Sequence, residues 1–130
     1  MKVFVDTNFF YARVSRHDQW HAMAARDFDP GIRAITSSLV VNETISLFQL
    51  RGFLSAGLDF LHDIRSDPDI QIVHVDAVLQ AEGWDLFHRW GGAGANAVDC
   101  VSFAIMKSFS IRKALTFDRH FRTAGFEVLP

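Results

Sequence analysis

The sequence predicts an α/β protein, a three-layer α/β/α sandwich around a central, mainly parallel sheet. Three observations carry that expectation. Short apolar runs rich in β-branched and aromatic residues, Val3-Phe4-Val5 above all, suit strands buried on both faces. Longer stretches between such runs carry apolar residues at helical spacing. The two kinds of segment alternate along 130 residues without a repeat, a low-complexity tract or a linker, which predicts one domain over residues 1–130.

The first strand, Val3–Val5, stops abruptly at Asp6-Thr7-Asn8. From Phe9 to about Phe28 the pattern is helical, with Phe9, Phe10 and Val14 on one face. A break over Ser15 to Asp18 leads to a second helix carrying Trp20, Met23, Ala24 and Phe28. Asp29-Pro30-Gly31 is a turn, because proline fixes φ and glycine permits positive φ. Arg33–Thr36 is a short strand. Ser37 or Ser38 then opens a helix to about Arg51, with Leu39, Val40, Ile45, Leu47, Phe48 and Leu50 apolar.

Phe53 to Ile64 continues as a helix through Leu54, Leu58, Leu61 and His62, and Asp67-Pro68-Asp69 closes it. Ile70–Val75 is a buried or edge strand. Asp76 caps a helix from Ala77 to about Trp90, with Val78, Leu79, Leu86, Phe87 and Trp90 facing inward. Gly91-Gly-Ala-Gly94 is expected to be a flexible loop, since its glycine spacing fits no familiar phosphate-binding motif and no Lys-Ser or Lys-Thr follows. Asn96 starts a helix to about Phe109. Lys113–Phe117 is a strand, Asp118–Ala124 a short helix, and Phe126–Leu129 the last strand.

Composition narrows the function. The hydrophobic share is 49%, with 13 Phe and 3 Trp, and mean hydropathy is +0.11. A chain this small cannot easily hide so much apolar surface, which predicts contact with a partner chain or a second copy. Thirteen Lys and Arg against 15 Asp and Glu give a net charge of −2. That is not a surface that holds nucleic acid everywhere, so any such contact must be local or metal-assisted. The single Cys100 excludes an internal disulfide framework and fits a reducing compartment. With no apolar run of transmembrane length and no signal-peptide layout, the expected location is the cytoplasm.

The carboxylates carry the chemistry. Asp6 falls where a central strand ends, the edge at which open α/β sheets bind ligands; its ordinary role there would be a helix N-cap. Asp118 repeats the arrangement after Lys113–Phe117. Glu43 follows Leu39 and Val40 by four and three residues and precedes Leu47 by four, so it projects from the apolar face of its helix. A lone ionised carboxylate there is costly unless paired or bound to a cation. Asp99 lies in the first turn of the Asn96 helix at nearly capping-box spacing, yet shares a row with Phe103 and Met106. Four acids converging on one point would repel each other strongly. No Lys or Arg is close in sequence to Asp6 or Glu43, so a divalent cation is the natural remedy. All-oxygen ligands suit Mg2+ or Mn2+ over Zn2+. Such ions activate water and bind phosphate oxygens, which points to phosphodiester hydrolysis.

Val-Phe-Val-Asp6-Thr7-Asn8, Ser38 with Asn42-Glu43, Asp99-Cys100-Val-Ser-Phe-Ala and Leu-Thr116-Phe-Asp118-Arg-His-Phe121 with Gly125-Phe126 occur in this order across the chain. Together they resemble the PIN domain, nearest to the VapC-type toxin ribonucleases of type II toxin–antitoxin systems. The resemblance implies a PIN-like fold and a Mg2+- or Mn2+-dependent endoribonuclease. Asp6, Glu43, Asp99 and Asp118 would be the catalytic metal ligands, with Thr7, Asn8 and Thr116 supporting them by hydrogen bonds. It also implies a small cognate antitoxin and a homodimer. Many members have Ser or Thr before the third acid, where this chain has Val98.

Arg119, His120 and Arg122 beside Asp118 are either solvated charge at a helix start or contacts to the RNA backbone, holding phosphate without reading sequence. His17 and His21 lack the glutamate of a zinc-protease motif and are expected at the surface; Cys100 is expected to be a small buried hydrophobe. Two other enzyme classes fit poorly. A phosphoacceptor domain would want an acid adjacent to Asp6 and a late lysine where Thr116-Phe-Asp118 stands. An aspartate-nucleophile phosphatase would want Asp at position 8, which is Asn. The remaining alternative is a non-catalytic RNA- or protein-binding module of the same fold, which would have little reason to keep all four acids.

Overall fold

The computed structural model describes residues 1–26 and 31–130. Phe28 and most of the turn expected at Asp29-Pro30-Gly31 lie outside the described residues. The strands are β1 (Lys2–Val5), β2 (Arg33–Ser37), β3 (Ile70–Val73), β4 (Lys113–Leu115) and β5 (Glu127–Leu129). They form one five-stranded sheet in the order β3-β2-β1-β4-β5, every pairing parallel. The helices are α1 (Thr7–Val14), α2 (His21–Ala24), α3 (Ser38–Leu50), α4 (Leu54–Ser66), α5 (Ala77–Trp90), α6 (Ala97–Ser108) and α7 (His120–Thr123). Helices α1 to α4 pack among themselves, α5 packs on α6, and α6 packs on α7. The architecture is the expected α/β/α sandwich.

The strand order places the site. Strand β1 is central: Phe4 sits beside Ile35 of β2 on one side and Ala114 of β4 on the other. The chain leaves β1 toward β2 and β3, then returns to the opposite side of β1 as β4. The carboxyl ends of β1 and β4 therefore flank the point where strand order reverses, the crevice that ligands use in open sheets. Val3, Phe4 and Val5 are all buried, which explains why that run reads as uniformly apolar. Phe121 covers Phe4 (ring centroids 6.3 Å apart) and meets Phe103 edge-on at 5.0 Å, so α6 and α7 are tied to the central strand by aromatic contacts.

Several side chains face differently from the expectation. In α4 the buried residues are Gly57, Phe60 and Ile64, while Leu54 and Leu58 are exposed. Gly57 allows this: a Cβ there would stand 3.0 Å from Phe48 Cβ of α3, so the close face of α4 is centred on a glycine. In α5, Gly83 is the buried residue, and Val78 and Phe87 are exposed instead of inward. Leu50, at the end of α3, is almost fully exposed. In each helix the apolar stripe is wider than the face the neighbouring helix can cover. His21 is only half exposed, with Nδ1 at 2.7 Å from the Ala12 carbonyl, so it ties α2 to α1. The Gly91–Gly94 segment is not a loose loop. Gly91–Ala93 is one turn of 3-10 helix, ended by Gly94 at φ +102°.

A methyl group at position 83 would lie 2.5 Å from Val101 Cγ2 and 3.1 Å from Val101 Cα. Gly83→Ala is therefore expected to force α5 away from α6 and lower the unfolding free energy by roughly 1–3 kcal/mol, despite alanine's better helix propensity. Urea denaturation would check this through the shift in midpoint at unchanged slope.

Candidate active site

Asp6 stands at the N-cap position of α1, but its side chain caps nothing. Its backbone N–H extends the sheet by donating to the Leu115 carbonyl at 3.1 Å. Its carboxylate turns to β4: the Thr116 hydroxyl donates to Asp6 Oδ2 at 3.0 Å, with Asn8 Oδ1 a second acceptor at 3.2 Å. Asn8 Oδ1 also accepts from the Phe117 N–H at 3.1 Å, and Thr116 Oγ1 accepts from the Asp118 N–H at 3.0 Å. These bonds knit the ends of β1 and β4 together. They also mark the end of β4 at Leu115, two residues short of the expected Phe117: the Thr116 N–H still donates to the Leu129 carbonyl at 3.1 Å, but the Phe117 and Asp118 N–H groups are taken by side chains. Asp118 caps no helix either. Its Oδ1 accepts from the His120 N–H at 2.8 Å, and α7 begins only at His120.

Asp99 is held by α6. Asn96 Oδ1 accepts from the Asp99 N–H at 2.8 Å, and Asp99 Oδ2 accepts from the Asn96 N–H at 3.0 Å, a complete capping box. The bond from the Asn96 N–H commits Oδ2 and not Oδ1. In this chain, with Val98 before it, Asp99 is oriented by Asn96. Glu43 lies mid-way along α3, half-buried, between the buried Val40 and Thr44. The start of α3 is fixed from two sides, by the Ser37 cap on the Val40 N–H and by Ser38 Oγ accepting from the Val75 N–H at 3.1 Å.

The four acids share one electrostatic neighbourhood. Burial, then the charge of Asp99, pushes the Asp6 carboxyl from its ordinary 3.8 up to about 7, against hydrogen bonds from the Thr7 N–H and Thr116; Glu43 adds to the rise. Burial pushes Asp99 from 3.8 to about 6; the Asn96 hydrogen bond opposes this, the charges of Asp118 and Glu43 add to it, and His120 lowers it. Among the described residues no Lys or Arg pairs with any of the four. The sole ion-pair partner there is His120, whose Nδ1 lies 2.6 Å from Asp118 Oδ1. Donor atoms of Asp99, Asp118 and His120 all fall within 4.8 Å of one another, a spacing a metal ion could bridge. His120 thus joins the carboxylates instead of standing apart with Arg119 and Arg122, which are exposed. A histidine two residues after an acid at a strand end was the available signal for this. Its imidazole is lodged against Gly94, where an added Cβ would stand 2.7 Å from His120 Nε2.

Thr7 supports Asp6 through its backbone N–H. Its hydroxyl, expected to hydrogen-bond, is buried with no protein partner among the described residues. A buried orphan oxygen beside mutually repelling carboxylates suits a hydrated cation, whose waters would satisfy it. The donor set therefore fits a hard divalent ion.

A PIN domain family model matches residues 3–127. This chain belongs to the PIN family. Its nucleases depend on a metal ion, in keeping with the acidic cluster found here. The chain is 34% identical over 131 aligned positions to the 23S rRNA-specific endonuclease VapC20 of Mycobacterium tuberculosis, covering 98% of both proteins. The crystal structure of that protein, described as a sarcin-ricin loop cleaving toxin, superposes with a TM-score of 0.86 at 31% identity and 95% coverage of each chain. Two more distant structures share the PIN fold. VapBC2 from Rickettsia felis, bound to promoter DNA, matches at TM-score 0.73 and 13% identity, over 99% of this chain and 98% of that one. FitAcB from Neisseria gonorrhoeae matches at TM-score 0.69 and 17% identity, over 100% and 97% respectively.

The raised carboxyls set a pH signature. Between pH 3.8 and about 7 the folded metal-free protein binds protons that the unfolded chain releases, so stability falls as pH rises through that window. At about 1.4 kcal/mol per pKa unit, the Asp6 contribution is on the order of a few kcal/mol. Asp6→Asn removes the charge and keeps the oxygen that Thr116 bonds. It is expected to raise the melting temperature of metal-free protein at pH 8 and to change little at pH 4, as thermal unfolding across pH would show.

Proposed function

We propose that this chain is a Mg2+- or Mn2+-dependent endoribonuclease and the toxin of a toxin–antitoxin pair. The observation that supports the reading is the mutual electrostatic influence of Asp6, Glu43, Asp99 and Asp118, from four separate elements, near the point where strand order reverses and, among the described residues, with no Lys or Arg paired to them. These residues would hold the cation, with His120 at its margin. When bound, such an ion supplies positive charge to the phosphate and lowers the pKa of the attacking water. The chain's own residues do the positioning. Thr116 and Asn8 hold Asp6 at the strand end, and the Asn96 cap aims Asp99. The hydrolysis needs no covalent intermediate on the protein.

The VapC20 relative acts on 23S rRNA, and its structure is that of a sarcin-ricin loop cleaving toxin. A looped segment of ribosomal RNA is accordingly our candidate substrate here. Arg119 and Arg122, exposed and close in sequence to Asp118, would hold its phosphates. A small antitoxin and a second copy of this chain are the proposed protein partners. The exposed apolar side chains Leu50, Leu54 and Leu58 supply surface for such contacts. Among the described residues no helix is long and apolar enough to cross a membrane. With an RNA substrate and one reduced thiol, the proposed location is the cytoplasm.

Purified protein incubated with tRNA, rRNA and mRNA is expected to cut RNA only when Mg2+ or Mn2+ is present. Asp6→Asn should reduce cleavage to background while near-UV circular dichroism stays unchanged; full activity in that variant removes the central assignment. Glu43→Gln should weaken the metal's effect by at least the roughly 10- to 100-fold that loss of a supporting group costs. Titration of Mn2+ by calorimetry would read this directly, without reference to RNA.

A further inference from the structure

An aromatic stack runs from the core to the surface through Phe117, the residue between Thr116 and Asp118. It begins at Phe9, which is 3% exposed, passes through the half-buried Phe117, and ends at Trp20, which is 40% exposed. The Phe9 and Phe117 rings lie 5.8 Å apart and 23° from parallel; Phe117 and Trp20 lie 5.0 Å apart and only 10° from parallel. Phe117 sits in the chain between Thr116, which bonds Asp6, and Asp118. Its N–H is fixed by Asn8. Trp20 is pinned by its own N–H donating to Asp18 Oδ1 at 2.8 Å and by its carbonyl accepting from Ala24 N–H at 3.0 Å. The backbone that carries the outermost ring is therefore fixed, and the ring itself is accessible and held to the end of β4 by its stack on Phe117.

We propose that Trp20, seated on Phe117, is a stacking platform for an unpaired base of the RNA near the scissile phosphate. The inference rests on the nuclease reading above and deepens it by assigning the base-binding element. An indole held parallel to the ring beneath it offers a flat apolar face, which proteins use to hold splayed-out bases in single-stranded loops. The site also needs affinity from something other than charge. Its acids repel a polyanion, and the chain's net charge is −2. Stacking is indifferent to phosphate charge and tolerant of base identity, so it would select an unpaired loop nucleotide over a paired one.

The test compares the Kd values of two labelled stem-loop RNAs, one with a purine-rich loop and one with the same loop made abasic. The proteins are Asp6→Asn, as a non-cleaving background, and the same protein carrying Trp20→Ala or Trp20→Phe. Trp20→Ala is expected to weaken binding of the purine loop roughly 5- to 150-fold, the equivalent of about 1–3 kcal/mol per stacked base. Trp20→Phe should recover most of that loss. The abasic RNA should bind all three proteins with the same reduced affinity. Equal Kd values for the purine loop with and without Trp20 overturn the platform; Trp20 would then be a surface for a protein partner. An equal loss for both RNAs overturns it too, since the effect would be structural or on the backbone. If wild-type protein neither binds nor cuts any RNA, the nuclease reading itself falls and takes the platform with it, an outcome distinct from the other two.

Discussion

A carboxylate that the fold cannot leave in water organises the rest of the site. Asp6 is 4% exposed at the end of the central strand. Its backbone N–H is held by the Leu115 carbonyl of β4 and its carbonyl by the Phe10 N–H of α1, and its side chain is buried. Taking a charge out of water costs several kcal/mol. The Thr116 hydroxyl and the Thr7 N–H offset part of that cost, and Asp99 and Glu43 add to it. The result is a cluster at odds with itself in the absence of a cation. A structural carboxylate would be placed beside an arginine. This one is placed beside other carboxylates, which costs the metal-free protein stability.

The supporting geometry shows the same preference for rigidity over flexibility. Three of the four acids are aimed by a bond to a main-chain group or a short side chain: Asp99 by the Asn96 cap, Asp118 by the His120 N–H, Asp6 by Thr116. None relies on a long flexible partner, so little side-chain entropy opposes assembly of the site. Gly94 belongs to this scheme. Its left-handed φ closes the 3-10 turn, and its missing side chain lets the imidazole of His120 stand against Asp118. A segment that reads in sequence as slack is therefore part of the mould around the site.

The parts legible in sequence were those with a local cause. The uniformly apolar Val3–Val5 run gave a central strand, and the strand–Asp–helix transitions at Asp6 and Asp118 gave a shared edge once the strands proved parallel. The Asn96–Asp99 spacing anticipated the cap, although it could not say that the cap and the site use the same carboxylate. What stayed hidden depends on helix–helix contact. Val78, Phe87, Leu54 and Leu58 look inward by periodicity and face outward, because the close faces of α4 and α5 are centred on Gly57 and Gly83; Leu50 faces outward at the end of α3. A glycine carries no hydropathy signal for packing, so the period alone points to the wrong stripe. His120 was hidden for a different reason: whether a histidine after a strand faces solvent or an acid depends on the turn that Asp118 itself makes.

The two chemistries at this edge answer different parts of one problem. A pocket of acids can cleave a phosphodiester only with a cation in it, and until then it repels the backbone it must hold. Surface arginines such as Arg119 and Arg122 can draw phosphate near, but screened exposed charges act over only about 8–10 Å at physiological salt and do not read bases. A stacked ring contributes affinity that neither salt nor the charge of the pocket diminishes. Because Trp20 stacks on Phe117, and Phe117 lies between Thr116 and Asp118 in the chain, a base seated on Trp20 would bind at the same sheet edge as the carboxylates. Selection for unpaired RNA would then be coupled to delivery of the strand to that edge.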